Sequence, residues 1–199
     1  MTEDEARGHF LCMLGKLRTM EPSPWPFLCA SVLLEYLAKM ALGSGRTNYI
    51  KFVKKYMSPR YSCYKFANGD KDLPEQLYYV LRCGMVHSFS LTPDKSHYNK
   101  ARNESIVIAH TGTHLSRYIS QNGHYNDAVC LVLGDLVNDI EEALNKLFED
   151  AKADTKLSNS IKAHLGSNPP VAGVPIPAVP LPLLASAGAV IVSGSAHYP

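Results

Sequence analysis

A chain of 199 residues with 46% hydrophobic content can bury one core of ordinary size and would be cramped as two domains. A formal net charge of only +2 excludes a partner recognised through bulk charge alone, whether nucleic acid or membrane. Cys12, Cys29, Cys63, Cys83 and Cys130 are scattered and form no C-x-x-C pair, and Cys12, Cys29 and Cys130 lie in apolar stretches. That pattern argues against a disulfide framework or zinc site and predicts reduced, packed thiols in a cytoplasm.

Residues 2–20 suit an amphipathic helix, with Thr2 and Glu5 as a capping box and Phe10, Met13, Leu14 and Leu17 as the apolar stripe. The acidic start, Thr2-Glu3-Asp4-Glu5, is unlike a signal peptide. Pro22, Pro24 and Pro26 then break the chain. Residues 27–42 form the most apolar helix candidate; it carries Glu35 and Lys39 and is short for a bilayer, so it reads as a core helix and predicts no membrane association. Gly43-Ser44-Gly45 makes a turn, and residues 48–57 resume helical spacing through Ile50, Val53 and Met57. Ser58-Pro59 ends that helix, and residues 61–72 read as a loop or short helix.

Asp72-Leu73-Pro74-Glu75 combines an N-cap carboxylate, a first-turn proline and a Glu three residues after the cap, which predicts a helix from about Leu73 to about His87. Beyond it, residues 104–109 and 114–119 flank Thr111-Gly112-Thr113 and predict a small β-hairpin. The longest helix is predicted from Val129 through Phe148, where Val132, Leu133, Leu136, Ile140, Ala143, Leu144 and Leu147 keep the three-and-four rhythm. Residues 167–199 contain no Asp, Glu, Lys or Arg and hold seven of the 13 prolines, so they read as a separate extension. Val174-Pro175-Ile176-Pro177-Ala178-Val179-Pro180 favours extended polyproline conformation over helix. The reading is therefore an all-α bundle of about five helices over residues 1–166, with a hairpin insertion and a Pro-rich tail over 167–199.

Arg82 and His87 carry the most concrete chemistry. A guanidinium and an imidazole near a helix end can cleave RNA without metal: neutral imidazole takes the proton of a ribose 2′-hydroxyl, and the planar fork of donors holds the charge that develops on the phosphoryl oxygens. The products would be a 2′,3′-cyclic phosphate and a 5′-hydroxyl. Chance alone predicts about one Arg-His match at such spacings, and the chain holds two. The second, Arg117 to His124, crosses Gln121-Asn122-Gly123, which is turn chemistry. On an ideal α-helix a five-residue step leaves two side chains about 140° apart. Convergence therefore needs either a helix deformed at Gly84 or two copies facing each other.

The run Leu81-Arg82-Cys83-Gly84-Met85-Val86-His87-Ser88 resembles the signature of the HEPN superfamily (higher eukaryotes and prokaryotes nucleotide-binding), in which Arg and His are separated by four to six residues. The resemblance extends in order of elements over roughly residues 26 to 150, with its specificity on one helix. It implies a small, often dimeric helical bundle, and hence a homodimer along the motif helix. It also implies a metal-independent endoribonuclease of the toxin, abortive-infection or RNA-processing kind, with Arg82 and His87 as the chemical pair and a protein partner such as an antitoxin. Other members have lost catalysis and serve as binding modules. Where the family commonly has Asn, Asp or His after the Arg, this chain has Cys83, a weaker donor and acceptor in the supporting position.

From Arg46 to Lys65 there are six basic residues and no acid, interleaved with Tyr49, Phe52, Tyr56, Tyr61 and Tyr64. Alternating cations and rings can hold phosphate while stacking unpaired bases, which makes Lys51, Lys54, Lys55 and Arg60 candidate RNA contacts; the bland reading packs the rings and leaves the lysines in water. Residues 135–154, by contrast, hold seven acids and two lysines. His110 and His114 flank a turn without a third ligand at metal spacing, so they read as exposed turn histidines, and no metal or cofactor is implied. No phosphate-binding glycine loop, nucleophile elbow or paired catalytic Cys and His is present.

Overall fold

The computed structural model describes residues 1–67, 69, 71–92, 104–121, 125 and 127–170. Thr2 and Glu5 close the capping box that starts α1 (Glu3–Thr19), each side chain bonding the other's backbone N–H at 3.2 and 2.7 Å. Ala6, Phe10, Leu14 and Leu17 bury one stripe of α1; Met13 falls just outside it and is exposed. Pro24 and Pro26 open α2 (Trp25–Leu42), a core helix that packs against α1, α3, α6, α7 and the motif helix. Gly43, at φ +86°, ends α2 in a conformation side chains rarely adopt.

Helix α3 (Arg46–Tyr56) buries Tyr49, Phe52, Val53 and Tyr56. The short α4 (Pro59–Cys63) follows Ser58, which caps it, and buries Tyr61. The rings of Tyr49, Phe52, Tyr56 and Tyr61 are thus core residues and cannot stack on bases from the surface, which removes most of the aromatic half of the basic-aromatic expectation. Tyr64 is half-buried.

Asp72 caps the motif segment through the Glu75 N–H at 3.0 Å, as its sequence indicates. One α-helical turn, α5 (Leu73–Gln76), then widens into a π-helix, Leu77–Ser88, whose amides, after the Leu77 N–H has bonded the Leu73 carbonyl, reach back five residues instead of four. Phe89 ends it in the left-handed region, at φ 47°, its N–H donating to the Gly84 carbonyl.

The predicted hairpin is corrected by the structure. Strands β1 (Ile106–Ala109) and β2 (Ser116–Tyr118) do not pair with each other; β3 (Ala128–Val132) lies between them, parallel to β1 with Ile106 opposite Val129, and antiparallel to β2 with Ser116 opposite Cys130. The long helix therefore begins at Leu133, not near Val129, and runs as α6 (Leu133–Ala153). Ala128-Val129-Cys130-Leu131-Val132 is buried on both faces, and a continuous apolar run satisfies a central strand as well as it satisfies a helix. Its backbone groups settle the matter: Val129 N–H donates to Ser105, Cys130 C=O accepts from Leu115, and Val132 N–H donates to His114 Nδ1 at 2.9 Å.

Asp154 caps a further helix, α7 (Thr155–Ser167), beyond the elements expected from the sequence. The chain is thus mostly helical with a small three-stranded sheet, and one core joins residues from Ala6 in α1 to Leu165 in α7, with Ile106, Val129 and Leu131 entering it from the sheet. Residues 171–199, which hold most of the expected extension, and residues 122–124, which hold the second Arg-His pair's turn, lie outside the described residues. All five cysteines are free, but Cys12 and Cys29 are exposed rather than packed, because each sits on the outward face of its helix; Cys83 and Cys130 are buried.

Leu144 is fully buried in α6, so Leu144→Ala should lower the unfolding free energy by about 2–5 kcal/mol in a denaturant titration, through lost burial and the cavity left behind.

Candidate functional site

The site is built from two neighbouring helices. Glu35, in the middle of α2, meets Arg82 of the π-helix as a two-pronged pair, Nε to Oε2 at 2.7 Å and Nη2 to Oε1 at 2.9 Å. The third guanidinium nitrogen, Nη1, lies 3.0 Å from His87 Nε2 and 3.5 Å from Cys83 Sγ. The π-winding accounts for this convergence: where an α-helix would splay residues 82 and 87, i→i+5 closure stacks them on one side. The deformation extends over the whole Leu77–Ser88 segment and not Gly84 alone, and the pair meets within a single chain.

Chemistry follows from who can donate. A guanidinium only donates, so Nε2 of His87 must accept, and the imidazole in this arrangement is neutral with its proton on Nδ1. Burial is the largest single influence on Arg82 and opposes its charge, yet the hydrogen bonds to Glu35 and Cys83, together with the charge attraction beside them, outweigh it and raise the pKa of an already permanent cation. Arg82 and Glu35 are each largely buried, with side-chain exposures of 17% and 18%, whereas His87 is exposed. Lys39, one turn beyond Glu35, lies 3.9 Å from its carboxylate and adds a second positive charge to the cluster. Tyr78 lays its ring beneath the guanidinium, 5.9 Å from centroid to carbon. Tyr49 places its ring edge-on to Tyr78, and burial, followed by the Glu35 charge, pushes its phenol pKa up.

The structure thus brings Arg82, Cys83 and His87 together. It gives most of the candidate RNA contacts other partners: Lys54 pairs with Asp72, Lys55 with Asp150 at 3.0 Å, and Arg60 donates to the His114 carbonyl at 2.9 Å, while Lys51 is exposed on α3. The basic segment is partly spent on holding α3 and α4 against the acidic α6 and the sheet.

Glu35 is the residue that sequence reasoning passed over, noting it only as a charge in an apolar helix. A carboxylate among buried apolar neighbours requires a cation, and that requirement was the available signal. His110 and His114 are not exposed turn histidines. His110 meets the Ser23 backbone at 3.0 Å, and His114, 5% exposed, accepts from Val132 N–H. Its Nε2 therefore carries the proton, facing Tyr61 Oη at 2.9 Å and Asp139 Oδ2 at 3.3 Å, while Tyr61 donates to Asp139 at 2.8 Å. Burial and the adjacent Asp139 raise the Tyr61 pKa well above its usual range, so its hydroxyl stays a donor. This cluster fastens the β3–α6 junction to α4.

Comparison of the chain with protein-family models, with curated proteins and with solved structures finds no match.

Removing the carboxylate should strand a buried cation. Glu35→Ala is expected to cost about 3 kcal/mol of stability, read by chemical denaturation, and nitrogen NMR should find His87 as the Nδ1–H tautomer in the parent chain and redistributed in the variant.

Proposed function

We propose that this chain is a HEPN-like, metal-independent endoribonuclease with Arg82 and His87 as its chemical pair. The single observation that carries the reading is the 3.0 Å approach of Arg82 Nη1 to an exposed, neutral His87 Nε2. A base and a fixed cation beside each other at the surface are what 2′-hydroxyl attack on a phosphodiester requires.

In the resting arrangement Nη1 occupies the His87 lone pair. A bound phosphate would draw Nη1 onto its own oxygens and release Nε2 to take the 2′-hydroxyl proton. The 2′-oxygen then bonds phosphorus, the bond from phosphorus to the 5′-oxygen breaks, and the imidazolium returns the proton to that leaving oxygen. Glu35 keeps Nε and Nη2 engaged throughout, so the guanidinium swings little and its one remaining edge faces substrate. A homodimer along the π-helix, a neutralising protein partner and a cytoplasmic setting belong to the same proposal.

A second reading rests on the Glu35 clamp itself. The carboxylate neutralises Arg82, and buried Cys83 replaces the polar residue the family commonly has, which suits a catalytically silent helical module for protein or nucleotide binding.

Incubation of single-stranded RNA with the protein in EDTA separates the two. The nuclease reading expects fragments ending in 2′,3′-cyclic phosphate and 5′-hydroxyl, and a loss of at least about 100-fold with His87→Ala or with Arg82→Ala. His87→Ala should leave the melting temperature nearly unchanged because the ring is exposed. Absence of cleavage at every protein concentration would leave the silent module.

A further inference from the structure

Among the described residues, two aromatic side chains stand bare, Trp25 at 53% and Phe89 at 51%, and they touch, with ring centroids 5.1 Å apart. Phe89 follows exposed His87 by two residues and lies in the left-handed region, at φ 47°, a place that glycine usually takes where a helix ends. A bulky residue is strained there, and a half-bare ring recovers little of that cost by packing. Strain without burial points to a task at the surface. The rings of α3, by contrast, are spent on the core.

Glu35 meets Arg82 while Trp25 meets Phe89, so α2 and the π-helix run antiparallel along a shared edge. The bare rings stand at one end of that edge, His87 and Arg82 come next, and Lys39, its side chain 40% exposed, follows one turn past Glu35. Arg46, exposed at the start of α3, reaches the same far end: it donates to the Tyr79 hydroxyl, with its guanidinium 5.7 Å from the Tyr79 ring centroid, and Tyr79 precedes Arg82 on the side away from Phe89. Rings therefore mark one end and cations the other, with the chemical pair between them. Trp25 to Lys39 is roughly 21 Å of helix, the length of about six stacked nucleotides at about 3.4 Å each.

We propose that Trp25 and Phe89 form a stacking platform for an unpaired base of single-stranded RNA, whose backbone passes Arg82 and His87 towards Lys39 and Arg46. Aromatic faces accept a base of any kind, and cations along the same groove track the phosphates. A duplex keeps its bases stacked on one another and offers none to the platform. An apolar partner would account for the rings but not for the cations at the other end of the edge. The proposal rests on the nuclease reading for the path of the strand past the chemical pair, and adds to it the class of substrate and the residues that hold it.

Trp25 is the single tryptophan, so its fluorescence reports on the platform alone. An RNA oligomer of about eight nucleotides, 2′-O-methylated throughout, spans the edge and cannot be cut by 2′-hydroxyl attack. Added to the full chain, it should quench Trp25 emission saturably, whereas a backbone of the same length without bases should bind at least about tenfold more weakly and leave the emission unchanged. Phe89→Ala should weaken the oligomer about tenfold, and Phe89→Tyr, which keeps a ring, should restore it. In cleavage of unmodified RNA, Trp25→Ala and Phe89→Ala should each raise KM about tenfold with kcat little changed, as for groups that hold the substrate and not the reacting bond. Emission unmoved at saturating oligomer, or equal affinity for the baseless backbone, would overturn the proposal. So would emission that follows protein concentration and ignores RNA, which would make a second copy the occupant. The two readings fail separately: quenching by the oligomer without cleavage of unmodified RNA upholds the platform and ends the nuclease, whereas cleavage with KM unmoved by either substitution overturns the platform and keeps the nuclease.

Discussion

Two hydrogen bonds from Arg82 to Glu35 tie the π-helix to the central helix of the fold, and the other features of the site take their positions from that clamp. Each partner is largely desolvated, so either alone would be an uncompensated charge. Together they fix the rotation of residue 82 about its helix axis. The i→i+5 winding then turns His87 onto the same side, where the guanidinium nitrogen not bound to Glu35 meets the imidazole. A rare winding, a polar pair in an apolar helix and a left-handed Phe89 occur together along one short segment. Such departures from ordinary backbone geometry concentrate where a fold holds side chains for a purpose other than packing.

The same central helix serves three surfaces at once. Its buried face carries Phe27, Leu33, Leu34 and Leu37 into the core; its Glu35 edge grips the π-helix; and Trp25, Cys29 and Val32 remain outside. Elsewhere in the fold, His114, Tyr61 and Asp139 perform a purely structural task with similar groups. There the imidazole is buried and both ring nitrogens face protein groups, whereas His87 is exposed. The contrast shows why burial and partners, rather than residue type, separate a fastening histidine from a candidate base.

Local signals carried the helical parts of the fold well. The Thr2–Glu5 capping box and the Asp72 cap are short-range chemistry, and each stands where the residues imply, whereas Pro24 and Pro26, expected only to break the chain, open α2 two residues earlier than its apolar run suggests. The five consecutive apolar residues of β3 fit two periodicities, and only the long-range partners Ser105, Leu115 and His114 decide between them. The π-winding was legible only as a need: residues 82 and 87 could not converge on a regular helix, but no local motif says that the helix widens. Glu35 lies 47 residues from Arg82 in sequence, and nothing short of the packed structure pairs them. The aromatic residues of α3 fit helical spacing and base stacking equally, and burial chose the first.

The winding itself is open to direct measurement. Scalar couplings across backbone hydrogen bonds, recorded by NMR on the labelled full chain, identify the carbonyl that accepts each amide proton. In the π-helix described here the His87 amide couples to the Arg82 carbonyl, five residues back, and its neighbours follow the same step. Coupling to Cys83 instead, four residues back and continued along residues 81–88, would mean an ordinary α-helix. Arg82 and His87 would then point apart, and the site would not exist within one chain.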